Sequence, residues 1–250
     1  ILLVFLGRLG TVEGMARRTK IIATIGPASQ SESTLRGMIE AGMDVARIGL
    51  AHGTLDEQVE KFRMVRSVAS ELGKYVGIVV DLPGPKIRCA PFDNGGVELL
   101  EDAQMSLAVE GDVSTADIIT VDYPNLLQDV QPGDSLSFAD GNVVVRVEER
   151  EGDRLKARVV HGGRLEGRPG LHVPSDRLRL SSPTDQDLTL LDTFVELGTD
   201  MVAVSFVRSA HDIRRLGVEP APRGPMIIAK IETKAAVSNL EGIIEASGAV

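Results

Sequence analysis

From position 20 onward, short apolar runs alternate with segments whose apolar residues recur every three or four positions. KIIATIG (20–26) is rich in β-branched residues and reads as a strand. Ser29 or Ser31 then caps a helix carrying Leu35, Met38 and Ile39, which Gly42 ends. MDVARIGLAHG (43–53) reads as a second strand leading into a loop. The next helix is expected from near Thr54, with Asp56 and Glu57 in its first turn, where the helix dipole favours acids. Its apolar stripe is Val59, Phe62, Val65, Val68, Ala69 and Leu72, and Gly73 stops it. YVGIVVDLPG (75–84) supplies a third strand. Strand, helix, strand, helix, strand predicts a parallel sheet with helical crossovers.

Between Ala90 and Val173 the rhythm changes. VELLE, MSLAV, DIITVD, SLSF, NVVVRVEE and LKARVV are short alternating runs, separated by Gly-Asp, Asp-Gly and Gly-Gly turns. This spacing predicts a compact all-β module. The α/β rhythm resumes with a helix from Thr184, where Thr184 and Asp187 have a capping-box-like spacing. MVAVSFVR (201–208) and PMIIAKIE (225–232) are a fourth and a fifth strand, and a last helix runs through Leu240 and Ile244. The expected organisation is a barrel segment over 15–89, a β module over 90–173 and a second barrel segment over 174–250. The α/β part holds roughly 150 residues, enough for about five βα units of ~30 residues, whereas a closed eight-stranded barrel needs about 250. The expected fold class is therefore α/β: a (β/α)8-type TIM barrel truncated after about five βα units, with an all-β lid inserted after the third strand.

Bulk properties narrow the function. Hydrophobic residues are 43% and charged residues 25% of the 250, an ordinary globular composition. A formal charge of −9 argues against non-specific nucleic-acid binding, while leaving room for a local basic pocket that takes a small anion. The single cysteine, Cys89, excludes an internal disulfide and fits a reducing compartment, so a cytoplasmic location is expected. No tryptophan and 3% aromatics disfavour a base-stacking surface. The opening ILLVFLGRLGTVEG has too short an apolar run to span a bilayer and lacks a basic n-region before it. Met15 begins MARRTKIIATIG, so residues 1–14 are expected to be an upstream extension, and no membrane partner is expected.

In a parallel α/β barrel the chemistry gathers at the C-terminal ends of the strands. Here those ends are Thr24 to Pro27, Arg47 to His52, Asp81 to Arg88, Ser205 to Arg208, and Lys230 with Glu232. Several cations, two acids and two Gly-Pro turns suit anionic phosphates held beside a divalent metal. Each residue also has a purely structural use. Asp81 can cap the turn that follows it, Lys230 and Glu232 can be a surface pair, and Ser205 can satisfy a backbone group.

TKIIATIGPAS, GMDVARIGLAHG, VVDLPGPKIR, SPTDQDL, VAVSFVR and IIAKIE resemble, in order, the successive barrel motifs of the pyruvate kinase family. FADG (138–141) resembles a motif of that family's lid, and the similarity covers nearly all of 15–250. The resemblance implies phosphoryl transfer between phosphoenolpyruvate and ADP with Mg2+, and a homo-oligomeric full-length protein. By position, Arg47 matches the arginine on the transferring phosphate, and Lys230 the lysine that stabilises charge on the phosphoryl group and the enolate. Glu232 matches a Mg2+ ligand and Arg88 a nucleotide-phosphate contact. Thr24 and Pro27 fall in the first strand-end motif, on the nucleotide side. Where many members hold K+ with an asparagine, a serine and an aspartate, this chain has Gly49, Ala51 and Asp81, and it has Lys86 where those members have glutamate. The resemblance is thus to the potassium-independent subgroup, with the Lys86 ammonium expected in the K+ position opposite Asp81.

Departures from the family pattern are Gly49, Pro83, and Pro169 where a lysine is usual; Arg168 beside it is the expected substitute. The second Mg2+-binding acid of the family pattern falls beyond Val250, so these residues alone are expected to be inactive. The alternatives are another Mg2+-dependent phosphoenolpyruvate or pyruvate barrel enzyme, a lyase or aldolase, and a non-catalytic relative of pyruvate kinase.

Overall fold

The computed structural model describes residues 18–173 and 181–250. The first α/β segment runs β1 (Ile22–Thr24), α1 (Glu32–Glu40), β2 (Val45–Gly49), α2 (Leu55–Glu71) and β3 (Gly77–Leu82). Ser31 rather than Ser29 caps α1, its hydroxyl accepting from Thr34 N, and Ser29 instead closes the turn after β1. Thr54 and Glu57 form a full capping box at the start of α2. Of the expected α2 stripe, Phe62, Val65, Val68 and Ala69 are buried, and Gln58 joins them by donating to the His52 carbonyl.

The inserted segment contains β4 (Ile87–Arg88), β5 (Val97–Leu99), β6 (Gln104–Ala108), β7 (Ile118–Thr120), the single-turn α3 (Leu126–Asp129), β8 (Ser135–Phe138), β9 (Val143–Glu151), β10 (Arg154–His161), β11 (Gly163–Leu165) and β12 (Gly170–His172). The chain then returns through α4 (Asp185–Glu196), β13 (Met201–Val204), α5 (Ala210–Arg214), β14 (Met226–Ala229), α6 (Lys234–Ser238) and α7 (Leu240–Ala246). Thr184 and Asp187 make the second capping box, on α4. FADG forms a tight 3₁₀ turn over Ala139–Gly141.

The described residues fall into two compact units, 18–84 with Ser181–Val250, and 85–173. Residues 85–89, expected with the barrel, group instead with the insertion, because Ile87 and Arg88 pair with Leu171 and Gly170 in its sheet. The expected extension 1–14 and the expected resumption at 174 lie outside the described residues.

The first unit is built on one five-stranded sheet, order β1-β2-β3-β13-β14, with every pairing parallel. Each new strand joins the same side of the last, the order of a barrel being wound rather than of a doubly wound sheet. Side chains alternate between its two faces. Ala46, Ile48, Ile78, Val80, Leu82, Val202, Val204, Ile227 and Ala229 meet Leu35, Phe62, Leu191 and Phe194 of the helices in one large core. Full burial of such a leucine or phenylalanine contributes ~2 kcal/mol. Val45, Val79, Met201, Ala203 and Ile228 form a separate, smaller cluster on the opposite face.

The second unit has a seven-stranded sheet, order β4-β12-β8-β9-β10-β6-β7, and the small pair β11-β5. Its own core is packed around Leu107, Ile119, Leu136, Phe138, Val145 and Leu155. Inside it the Tyr123 hydroxyl bonds the buried Asp129 carboxylate, so neither polar group is stranded. No helix among the described residues is long and apolar enough to cross a membrane.

Candidate active site

The smaller cluster of the first unit is the floor of a polar layer. Two residues further along each strand, period-two alternation returns the same face. Val45 leads to Arg47, Val79 to Asp81, Ala203 to Ser205, Ile228 to Lys230, and Ile22 to Thr24. Parallel registry sets these tips side by side: Thr24 pairs with Arg47, and Asp81 with both Gly49 and Ala203.

Asp81 is the hub. It is 6% exposed, and Arg47 donates to its Oδ2 from Nε at 2.9 Å and from Nη2 at 2.5 Å. Arg47 Nη1 donates to Thr24 Oγ1 at 2.9 Å. A guanidinium carries five N–H donors, so about two on Arg47 remain for a ligand. On the other oxygen, Lys230 Nζ lies 3.3 Å from Asp81 Oδ1, and the same ammonium lies 3.3 Å from Glu232 Oε1. Two cations and two carboxylates thus alternate across the strand tips. A buried carboxylate flanked by two cations has its desolvation offset, and it holds them close despite their mutual repulsion.

The turn after β3 is fixed by backbone contacts. Gly84 sits at φ +66°, and a Cβ there would lie 3.0 Å from Ser205 Cβ and 3.2 Å from the Ser205 carbonyl oxygen. Its N–H donates to Asp187 Oδ1 at 3.0 Å, while Asp187 Oδ2 caps α4 through Thr184 N at 2.8 Å. One buried acid therefore anchors both the turn and the helix. From the sequence, Ser205 is expected to satisfy a backbone group. In the structure it does that, donating to the Leu82 carbonyl at 2.7 Å, and it also receives the Lys230 ammonium at 2.7 Å. The signal that finds it is its place two residues beyond Ala203 on the inner face. Pro27 is exposed at the turn after β1, which Ser29 closes by accepting from Gly26 N at 2.9 Å.

Lys86, Arg88 and Arg168 belong to the second unit. Lys86 and Arg168 are exposed and Arg88 is half-buried. Arg88 N donates to Asp122 Oδ1 at 2.5 Å, Arg88 Nη1 to the Arg168 carbonyl at 3.3 Å, and Arg168 Nη2 lies 3.5 Å from Asp122 Oδ2. Asp122 thus brackets the two arginine positions together.

No group of three or more His, Cys, Asp or Glu gathers among the described residues, which fits neither a zinc nor a calcium cage. Magnesium differs, being held through one or two carboxylates with waters and substrate phosphates. Glu232, about one-third exposed at a strand tip with Phe206 N–H on its Oε2 at 3.0 Å, fits one such ligand.

Comparison with known proteins gives the same frame. Residues 16–250 match the family model described as pyruvate kinase, barrel domain. The chain is 36% identical over 236 residues to a protein named pyruvate kinase from Bacillus licheniformis, covering 92% of this chain and 40% of the relative. It is 36% identical over 238 residues to the pyruvate kinase of Mycobacterium tuberculosis, covering 94% and 50%. To that of Thermococcus litoralis it is 36% identical over 240 residues, with the same shares of 94% and 50%. The chain therefore spans about half the length of these relatives or less. By the match over nearly all of its residues, and by this identity to curated members, the chain belongs to the pyruvate kinase family.

Proposed function

We propose that the strand tips of the first unit bind phosphoenolpyruvate and work with ADP and Mg2+ to move the phosphoryl group, giving pyruvate and ATP. The observation that carries the reading is the sharing of buried Asp81 by Arg47 and Lys230, with Glu232 beside Lys230, in a chain of this family. In this reading the parallel strands are consecutive strands of a (β/α)8 barrel, and the all-β unit is its lid.

Phosphoryl transfer demands little covalent work from the protein; positioning and charge neutralisation dominate. Arg47, clamped through Nε and Nη2, directs its remaining N–H donors at the transferring phosphoryl group. Lys230 stabilises charge on that group and on the enolate. Glu232 would hold Mg2+, which when bound supplies fixed positive charge against the phosphates. Thr24, Pro27, Arg88 and Arg168 serve the nucleotide side, Arg168 in place of the lysine that Pro169 displaces. With one carboxylate fitted for the metal among the described residues, the 250 residues assayed alone are expected to be inactive.

Potassium is not required in this reading. Gly49 and Ala51 offer no side-chain oxygen, and a carboxylate has about four acceptor positions, so Asp81 retains capacity for the Lys86 ammonium as a built-in monovalent cation. The protein works in glycolysis in the cytoplasm, as a homo-oligomer. The test is ATP formation from phosphoenolpyruvate and ADP by the full-length protein that contains this chain, in Na+ and in K+ buffers. Equal rates in both are expected. A strict K+ requirement would remove the Lys86 role, and carbon–carbon cleavage without ATP formation would replace the reading with a lyase.

A further inference from the structure

The Lys230 ammonium donates to Ser205 Oγ at 2.7 Å and to Asp81 Oδ1 at 3.3 Å, and it is ion-paired with Glu232 Oε1 at 3.3 Å. The shortest contact is the neutral one. A carboxylate that holds an ammonium also cancels its charge, whereas a hydroxyl fixes its position and leaves the charge for an incoming anion. The hydroxyl's own hydrogen has a defined destination. Ser205 Oγ lies 2.7 Å from the Leu82 carbonyl and 3.5 Å from Asp81 Oδ1, so the hydrogen goes to Leu82 and a lone pair is left for Lys230. Through one oxygen, the ammonium is tied to the main chain at the end of β3. Ser205 is 1% exposed, and its carbonyl accepts from the Ser182 hydroxyl at 2.6 Å, so it is held on both sides.

The next residue does the same for the acid. Phe206 has φ +55°, a left-handed conformation that costs a non-glycine residue ~1 kcal/mol, and in it the N–H donates to Glu232 Oε2 at 3.0 Å. Gly84 packs against this step so closely that a Cβ would lie 3.0 Å from both Ser205 Cβ and Phe206 Cδ2. Strained backbone of this kind persists where the surroundings over-determine it.

We infer that the Ser205–Phe206 step is a positioning element of the phosphoryl-transfer site: the Ser205 hydroxyl sets the Lys230 ammonium, and the Phe206 main chain sets the Glu232 carboxylate. The inference rests on the proposed roles of Lys230 and Glu232. Ser205 and Phe206 act through those partners and not on the reacting atoms.

The test uses the full-length protein with Ser205→Ala and Ser205→Cys; the cysteine keeps the volume of the site but is a poor acceptor, so the fold survives if alanine disturbs it. Both variants are expected to lower kcat about 10- to 100-fold, with the KM for phosphoenolpyruvate within about threefold of wild type. In a Lys230→Ala background, measured as residual pyruvate formation, the Ser205 substitutions are expected to have no further effect, because the lost route runs through Lys230. Unchanged kcat in Ser205→Cys, or the same penalty with and without Lys230, would overturn the inference. A wild type that forms no ATP from phosphoenolpyruvate and ADP is a separate outcome: it defeats the functional reading, whereas an active wild type indifferent to Ser205 defeats only this step.

Discussion

Asp81 shows how much one carboxylate organises. Its two oxygens hold Arg47 and Lys230 from strands on either side. Asp81→Asn keeps the shape and removes the charge, taking from Arg47 its carboxylate partner and leaving Lys230 with Glu232. Breaking a buried pair costs about 3–5 kcal/mol, and the partial exposure of Arg47 discounts this to about 2 kcal/mol. Urea denaturation is expected to show that loss; an unchanged midpoint would mean that solvent already screens the cations. Cys89 is the opposite case. Burial, with Asp122 nearby, pushes its thiol up to about 12 from 9.0. An unfolded chain therefore ionises first as pH rises, and this group erodes stability between those values and has no effect below them. At pH 8 the native thiol is expected to resist alkylation until denaturant is added, and rapid native labelling would contradict its burial.

At the scale of elements, the strands and capped helices of the first unit were legible because local chemistry and tertiary demand agree. Thr54 and Thr184 carry capping boxes, and the β-branched runs sit where one face of the sheet packs under the helices. Less legible were β4, β11 and β12, which are two or three residues long and exist only through distant partners. Helices α5 and α6, at five residues each, are too short to show periodicity. In the site, side-chain types and strand ends were readable, but the sharing of Asp81 and the part played by Ser205 were not. Both depend on registry between strands far apart in sequence. The Gly84 turn tests that registry. Gly84→Ala adds a Cβ against Ser205 and Phe206 at φ +66°, and is expected to cost about 2 kcal/mol and to lower kcat. A variant with native stability and rate would show that the contact relaxes freely.

Over the whole molecule, two separate cores imply two separable stabilities. Leu136, Phe138 and Leu155 pack in one unit, Val80, Phe194 and Val202 in the other, and each core closes within its own unit. Thr184→Ala removes a helix cap in the first unit only, worth about 1 kcal/mol. Native-state hydrogen exchange is expected to show that loss at Val80 and Val202 and none at Val145 and Leu155. Equal loss at all four amides would mean that the units unfold as one.

The full-length protein that contains this chain decides the main question by one comparison: pyruvate formation from phosphoenolpyruvate, ADP and Mg2+ by wild type and by Lys230→Met, which keeps the length of the side chain and deletes its charge. The geometry around Asp81 predicts ready turnover by wild type and a loss of about a thousandfold in kcat for the variant. A Lys230→Met protein that keeps the wild-type rate would contradict the placement of the phosphoryl group at these strand tips.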